Sequence, residues 1–395
     1  MQRVLWPWIA AGLVYLLASP AMAIDVRAAV LRVDYQSVLP ISRFDYPTDD
    51  LGFAGAALAD QDNTTTGSFL GHTYETSTQA VAPEEADAAL ESILSDGIKL
   101  IVILASQDDL LRLTDKAAEA GALIFNAQAP DMALRSSACR GNLLHTALSN
   151  GQKADAVAQF AIWKKWTDWF FVAGSNPEDV ALADAYRKAA KKFGARIVEE
   201  RIFEDAGGSR RTDSGHVLVQ RQLPVFMQDT RDHDVVITAD ASDYFAAYLP
   251  YHLWTPRPVL GSGGLVPVQM HGGHEAYGAT QFQNRFEKLA GRHIRDADYN
   301  VWAALRAVGE AVTRASTAEP DGVKDYLLSD AFELAGFKGQ EVSFRSWNGQ
   351  MRQQVILHDG RITVSVSPQD GFLHQRSPQD TLGLDEPESE CTAFK

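Results

Sequence analysis

The sequence predicts an α/β protein of two doubly wound parallel-sheet lobes joined by hinge crossings, and three observations carry that prediction. Residues Asn142 to Glu204 read as helix, buried strand, helix, strand. The segment Lys99 to Leu104 (KLIVIL) is almost continuously apolar, as a parallel strand covered on both faces must be. After the second run of alternating strands and helices, the chain turns to a long helical stretch and then a hairpin, an interleaving that implies more than one passage between lobes.

Val26 to Val33 (VRAAVLRV) is a β-branched run that opens the fold and leads into a Pro-containing loop through Phe44, Asp45 and Tyr46. Leu51 to Ala59 reads as a helix of small residues, Phe69 to Glu75 as a strand, and Glu84 to Ser95 as a helix before the buried strand. Helix Asp108 to Ala120 and strand Ala122 to Phe125 complete one doubly wound half with its own sheet. The second half runs through helix Gly151 to Trp166, strand Trp169 to Ala173, helix Pro177 to Phe193 and strand Arg196 to Ile202. Pro177 suits a first helical position, Asn176 an N-cap, Glu178 and Asp179 the positive dipole end, and Gly194 the stop. Beyond a Gly/Ser/Arg loop (DAGGSRRTDSG), a helix through Gln228 leads to strands at Asp234 to Thr238 and Pro258 to Leu260. From Gly278 to Leu328 the pattern is helical, with Tyr299 to Ser316 strongly amphipathic. Arg352 to Leu357 and Arg361 to Ser365 then form a hairpin around Asp359-Gly360, and Ser367 to Lys395 is an irregular tail.

Residues 1–23 read as an export signal: a positive start at Met1 to Arg3, an apolar core from Val4 to Ala18, and Ala21-Met22-Ala23 as the small-x-small cleavage pattern. Pro7 interrupts the apolar run, which falls short of the roughly 20 residues that span a bilayer. Cleavage before Ile24 is therefore expected, with the mature chain in the periplasm. The formal charge of −15 becomes more negative once Arg3 is removed, which disfavours nucleic acid and anionic lipid surfaces as partners. The two cysteines, Cys139 and Cys391, are expected to pair in an oxidising compartment. That bridge would tie the tail to the loop before the second half, and a loop so long contributes up to about 5 kcal/mol in the chain-entropy model.

Motifs of catalysis are absent from the sequence. Gly261-Ser262-Gly263-Gly264 lacks the G-x-G-x-x-G order and its strand-to-helix setting, so it reads as a turn. The histidines, His216, His252, His271 and His274 among them, form no H-E-x-x-H, and no G-x-S-x-G elbow occurs. Trp163, Trp166 and Trp169 read as packing residues. No enzyme activity, catalytic residue, metal or cofactor is expected.

At this point longer strings become informative. The 142–204 block, preceded by SSACRGNLLHT, the DGIKLIVI strand, Phe337-Lys338-Gly339 and Trp347-Asn348-Gly349-Gln350 resemble periplasmic binding proteins of the branched-chain amino-acid type, the type I, Leu/Ile/Val-binding-like receptors of ABC importers. YLPYHLWTPRPVLGSGGLVP (Tyr248 to Pro267), GATQFQNRFEKLAGR (Gly278 to Arg292) and DTLGLDEPESEC (Asp380 to Cys391) look like the subgroup associated with pyrroloquinoline quinone-dependent alcohol dehydrogenase systems. The resemblance implies a monomeric solute receptor that binds a small molecule between its lobes and hands it to an ABC permease in the inner membrane. It further implies a lobe A of 24–143 plus about 275–345, a lobe B of 144–274 plus about 346–366, and a tail of 367–395 tied back by the disulfide.

Ligands of open α/β sheets sit outside the carboxyl ends of the strands. In lobe A the corresponding loops hold Asp34, Tyr35, Phe44, Asp45, Tyr46, Ser106, Gln107 and the run from Asn126 to Gln128; in lobe B they hold Ser175, Asn176, the run from Asp240 to Asp243, Tyr244 and Ser262. The run Leu104 to Asp109 has one hydroxyl and two acids where the amino-acid receptors cluster hydroxyls, and Asn126 to Pro130 has none. That departure weighs against an α-amino-acid ligand. The alternative is an accessory or sensing protein for alcohol oxidation. It would bind a metal or lanthanide ion through Asp45, Asp49, Asp50, Asp240 or Asp243, or the quinone itself through Arg135 and Tyr244.

Overall fold

The computed structural model describes residues 23–36, 39–205 and 213–394. The expected leader lies outside them but for Ala23, as do loop residues 206–212 and the side chain of His216.

The first lobe is a five-stranded, all-parallel sheet in the order β2-β1-β3-β4-β5. Its strands are β1 (Asp25–Val33), β2 (Thr73–Val81), β3 (Leu100–Leu104), β4 (Leu123–Asn126) and β5 (Leu143–His145). Every residue of β3 is buried because helices cover both faces. One face packs on α2 (Ala86–Ser95) and α3 (Gln107–Glu119). The other packs on α1 (Phe53–Gly67), α7 (Ala279–Ala290), α8 (Asp296–Ala315) and α9 (Pro320–Leu327).

The second lobe is a four-stranded parallel sheet, β7-β6-β8-β9, from β6 (Asp168–Gly174), β7 (Arg196–Phe203), β8 (Val235–Ala239) and β9 (Val259–Gly261). The helices α4 (Asn150–Trp163) and α5 (Pro177–Phe193) cover one face, and α6 (Asp213–Phe226) covers the other. Short antiparallel sheets follow. One joins β10 (Val266–Val268), β14 (Val355–His358) and β15 (Thr363–Ser367); the other joins β11 (Leu334–Ala335), β12 (Glu341–Phe344) and β13 (Met351–Arg352).

Several boundaries differ from the sequence reading for physical reasons. α1 runs on to Gly67 rather than stopping at Ala59, because Asn63 is buried against α8 and donates to Leu305 O at 2.9 Å. That contact outweighs the low helix propensity of its Asn/Thr end. The strand expected at Phe69 to Glu75 consequently starts later, at Thr73, after a 3-10 turn at Ser68–Leu70. The strand expected at Arg352 to Leu357 divides into β13 and β14, which serve different sheets. β5 was not foreseen: three residues carry no periodicity, and the strand exists by pairing Ile124 with Leu143.

Three crossings join the lobes, and buried amides fasten them to one another. Gln269 and Gln353 both donate to Thr146 O at 2.8 Å, and Gln350 donates to Ala147 O at 3.1 Å. Arg135, fully buried, donates to Gln350 Oε1 and Ala129 O at 2.8 Å and to Ala147 O at 3.1 Å. The tail is less irregular than its sequence suggests. Asp380, buried, accepts from Arg345 and Arg352 at 2.9 Å, and the disulfide Cys139–Cys391 closes a separation of 252 residues.

Candidate functional site

Parallel β1, β3 and β4 end on the side of the first lobe that faces the second, and the segment beyond β1 meets the one beyond β8. The arm after β1 reaches furthest: Ile41 N–H donates to Asp243 Oδ2, across the cleft, at 3.0 Å. Arg295, at the N-cap of α8, holds the arm by donating to Phe44 O at 2.8 Å and Tyr46 O at 2.7 Å. Phe44 is left 84% exposed at the cleft mouth. Burial raises the pKa of Asp45, Asp243 opposite raises it further, and Arg295 opposes both.

Deeper in the first lobe, Tyr35 lies against the start of α3. Its hydroxyl accepts from Ser106 N–H at 2.9 Å and sits 3.0 Å from Ser106 Oγ and 2.6 Å from Asp109 Oδ2. Burial, then the Asp109 contact, raises the Tyr35 pKa. Gln107 is the first residue of α3. Asn126 is buried and spent on its own loop: Oδ1 accepts from Gln128 N–H at 3.0 Å and Ala129 N–H at 2.8 Å, while Nδ2 donates to Ala129 O at 2.8 Å. Gln128 itself is exposed.

In the second lobe the polar groups form one network around Asp179. That carboxylate accepts from Asn176 N–H at 3.1 Å, Ser242 N–H at 2.8 Å and Ser242 Oγ at 2.9 Å. Ser175 Oγ accepts from Asp205 N–H at 3.0 Å. Asp240 gathers Tyr244, Phe245 and Ala246 N–H groups at 2.7–3.0 Å, while its own N–H donates to Ser262 Oγ at 2.9 Å. Burial raises the Asp240 pKa against those hydrogen bonds. The Tyr244 ring turns into the lobe core beside Phe203.

The fold thus brings Tyr35 to Ser106, the 41–45 arm to Asp243, and Asn176 to Ser242. It places Asn126, Asp240 and Tyr244 in buried, engaged positions, and Arg135 in the hinge. Asp50 is paired with Arg292 at 2.9 Å. Among the described residues, no group of three or more His, Cys, Asp or Glu side chains is arranged to hold a metal ion. A cavity of about 420 Å³, lined by Met132, Asn150, Gly151 and Lys188 among others, lies between α4, α5 and the tail, and none of the predicted site residues lines it.

Sequence reasoning missed Arg295; it reached Asp109 and Ser242 only as members of the 104–109 and 240–243 loops, and Asp179 only as a helix-dipole partner. For Asp179 a signal existed, since Asn-x-x-Asp at a helix start is a capping box. Arg295 had none, because its partners lie about 250 residues away.

Over residues 54–209 the chain matches a family model described as periplasmic binding protein. Solved structures match it over nearly its whole length. A periplasmic binding protein from Burkholderia mallei is 12% identical, with 94% of this chain and 99% of that one covered at a TM-score of 0.65. A leucine-, isoleucine-, valine-, threonine- and alanine-binding protein from Brucella ovis, in its closed conformation, is 15% identical over 85% and 89% at 0.66. A solute-binding protein of an ABC transporter from R. palustris, in complex with benzoate, is 12% identical over 93% and 99% at 0.63. No curated protein sequence matches the chain. The fold is therefore that of the type I periplasmic binding proteins, two parallel-sheet lobes facing one another across a cleft.

Proposed function

We propose that the mature chain, from Ile24, is a monomeric periplasmic receptor that holds a small solute between its lobes and passes it, unaltered, to an ABC permease of the inner membrane. The importer would serve quinone-dependent alcohol oxidation, a reading supported by the strings at 248–267, 278–292 and 380–391. The observation that carries the receptor role is the facing of the two sheets' carboxyl ends across three crossings, with the Ile41–Asp243 contact already spanning the cleft. In such a protein closure is driven by a ligand's greater affinity for the closed state. Among the described residues no helix is long and apolar enough to cross a membrane.

A thermal-shift screen of the mature protein tests the role, with amino acids, alcohols and their acids, pyrroloquinoline quinone, calcium and lanthanides. A solute at about 100 times its dissociation constant adds ~2.7 kcal/mol of stability. Deleting the gene should abolish uptake of the solute that stabilises the protein. Normal uptake with altered alcohol-induced expression would instead favour an accessory role.

A further inference from the structure

In an open parallel sheet, a ligand carboxylate is most readily received at the N-terminus of a helix that follows a strand, where N–H groups and the positive dipole end face outward. α3 starts at such a point, two residues after β3, with Ser106 as its N-cap. The chain has taken up one of its donors, the N–H of the N-cap itself. Ser106 N–H donates to the Tyr35 hydroxyl, and that hydroxyl lies 2.6 Å from Asp109 Oδ2, which takes its proton. Asp109 also accepts from Arg112 at 2.6 Å, and Asp108 adds a second negative charge to the same turn. An incoming carboxylate meets an occupied donor and two acids, one of them paired with Arg112.

Across the cleft the corresponding positions are filled in the same manner. The start of α5 is closed by Asp179, and the N–H groups of residues 244–246 by Asp240. Of these closures, only the one at α3 comes from a half-exposed residue on a different loop, and it is the one that can be removed without opening a core.

We propose that Tyr35 is a specificity-determining residue that closes the N-terminus of α3 to carboxylates, so that this receptor takes uncharged or cationic small solutes and rejects free amino acids and simple carboxylic acids. The inference rests on the receptor reading and names the chemistry of its ligand.

Calorimetric titration with four compounds of one carbon skeleton tests it: leucine, isovalerate, isoamyl alcohol and isoamylamine. The parent protein is compared with Tyr35→Ala, which removes ring and hydroxyl, and Tyr35→Phe, which removes the hydroxyl alone. Melting curves establish that each variant is folded. The parent should give no heat with leucine or isovalerate, and Tyr35→Ala should gain at least about tenfold in affinity for one of them, with no parallel gain for the alcohol or the amine. Tyr35→Phe should fall between. Binding of either carboxylate by the parent below about 100 µM overturns the proposal. So does a folded Tyr35→Ala variant as indifferent to carboxylates as the parent. Failure of the receptor reading looks different: no compound in the broader thermal-shift panel, whatever its charge, stabilises the parent.

Discussion

Lys338 shows what a single residue contributes to this hinge. Its ammonium is fully buried, with Gln353 Oε1 at 2.8 Å and the Tyr299 ring centroid at 4.5 Å. Burial draws its pKa down to about 7, and Asp296 only partly opposes the shift. A base whose folded value is depressed stabilises the fold above its ordinary range and loses that contribution as the pH falls towards the folded value. Measured by urea unfolding, the parent should therefore lose stability relative to Lys338→Met between about pH 9.5 and pH 7, at about 1.4 kcal/mol per pH unit, and the difference should level off below that. A pH-independent difference would show that the amine titrates in the folded protein as it does in the unfolded chain, and so is solvated there. Nothing in Phe337-Lys338-Gly339 announces this environment, since a lysine between two turn-forming positions reads as exposed. Asn176 is the opposite case: its cap role was legible because the partner, Asp179, is three residues on.

Elements were legible wherever a period or a cap is local. α5 has the bounds the sequence predicts, from Pro177 after its capping Asn176 to Phe193 before Gly194, which takes a φ of 77°. α1 was misjudged because its length is set by α8. The two helices approach through small residues: a Cβ on Gly55 would fall 2.0 Å from Asp298 O, and one on Gly309 would fall 2.1 Å from Asn63 Oδ1. Asp298 in turn accepts from Gly52 N–H at 2.8 Å and from Arg292 at 2.7 Å, so the contact anchors the base of the 39–52 arm. Gly55→Ala should cost about 1–3 kcal/mol, since backbone rather than a pliant side chain must give way. Its unfolding midpoint in urea checks this, and a midpoint equal to the parent's would mean that α1 can shift freely on α8.

For the whole molecule the tail is decisive. From β15 it runs along α4, where Gln369 N–H donates to Gln159 Oε1 at 3.0 Å and Gly383 N–H to Asp155 Oδ2 at 2.8 Å. It then reaches the first lobe's loop, where Glu390 N–H donates to Ser136 Oγ at 3.0 Å beside the disulfide. The tail is thus a further link between the lobes, covalent at its end. Replacing Cys139 and Cys391 together by Ser should lower stability by about 3–5 kcal/mol, measured by urea unfolding and reproduced in the parent by a reductant. Equal midpoints for parent and double variant would show that the tail's hydrogen bonds alone hold it.

The sequence alone determined the two-half α/β rhythm, the parallel sheets, the helix caps and the pairing of the two cysteines, because periodicity, capping and a count of two are properties of neighbours or of the whole composition. Only the tertiary structure decided which groups face the cleft and which are consumed. Tyr35 meets Ser106 from 71 residues away, and Ile41 meets Asp243 from 202. A hydrogen bond across such a separation leaves no pattern in either segment; it exists because two sheets place their strand ends within reach of one another.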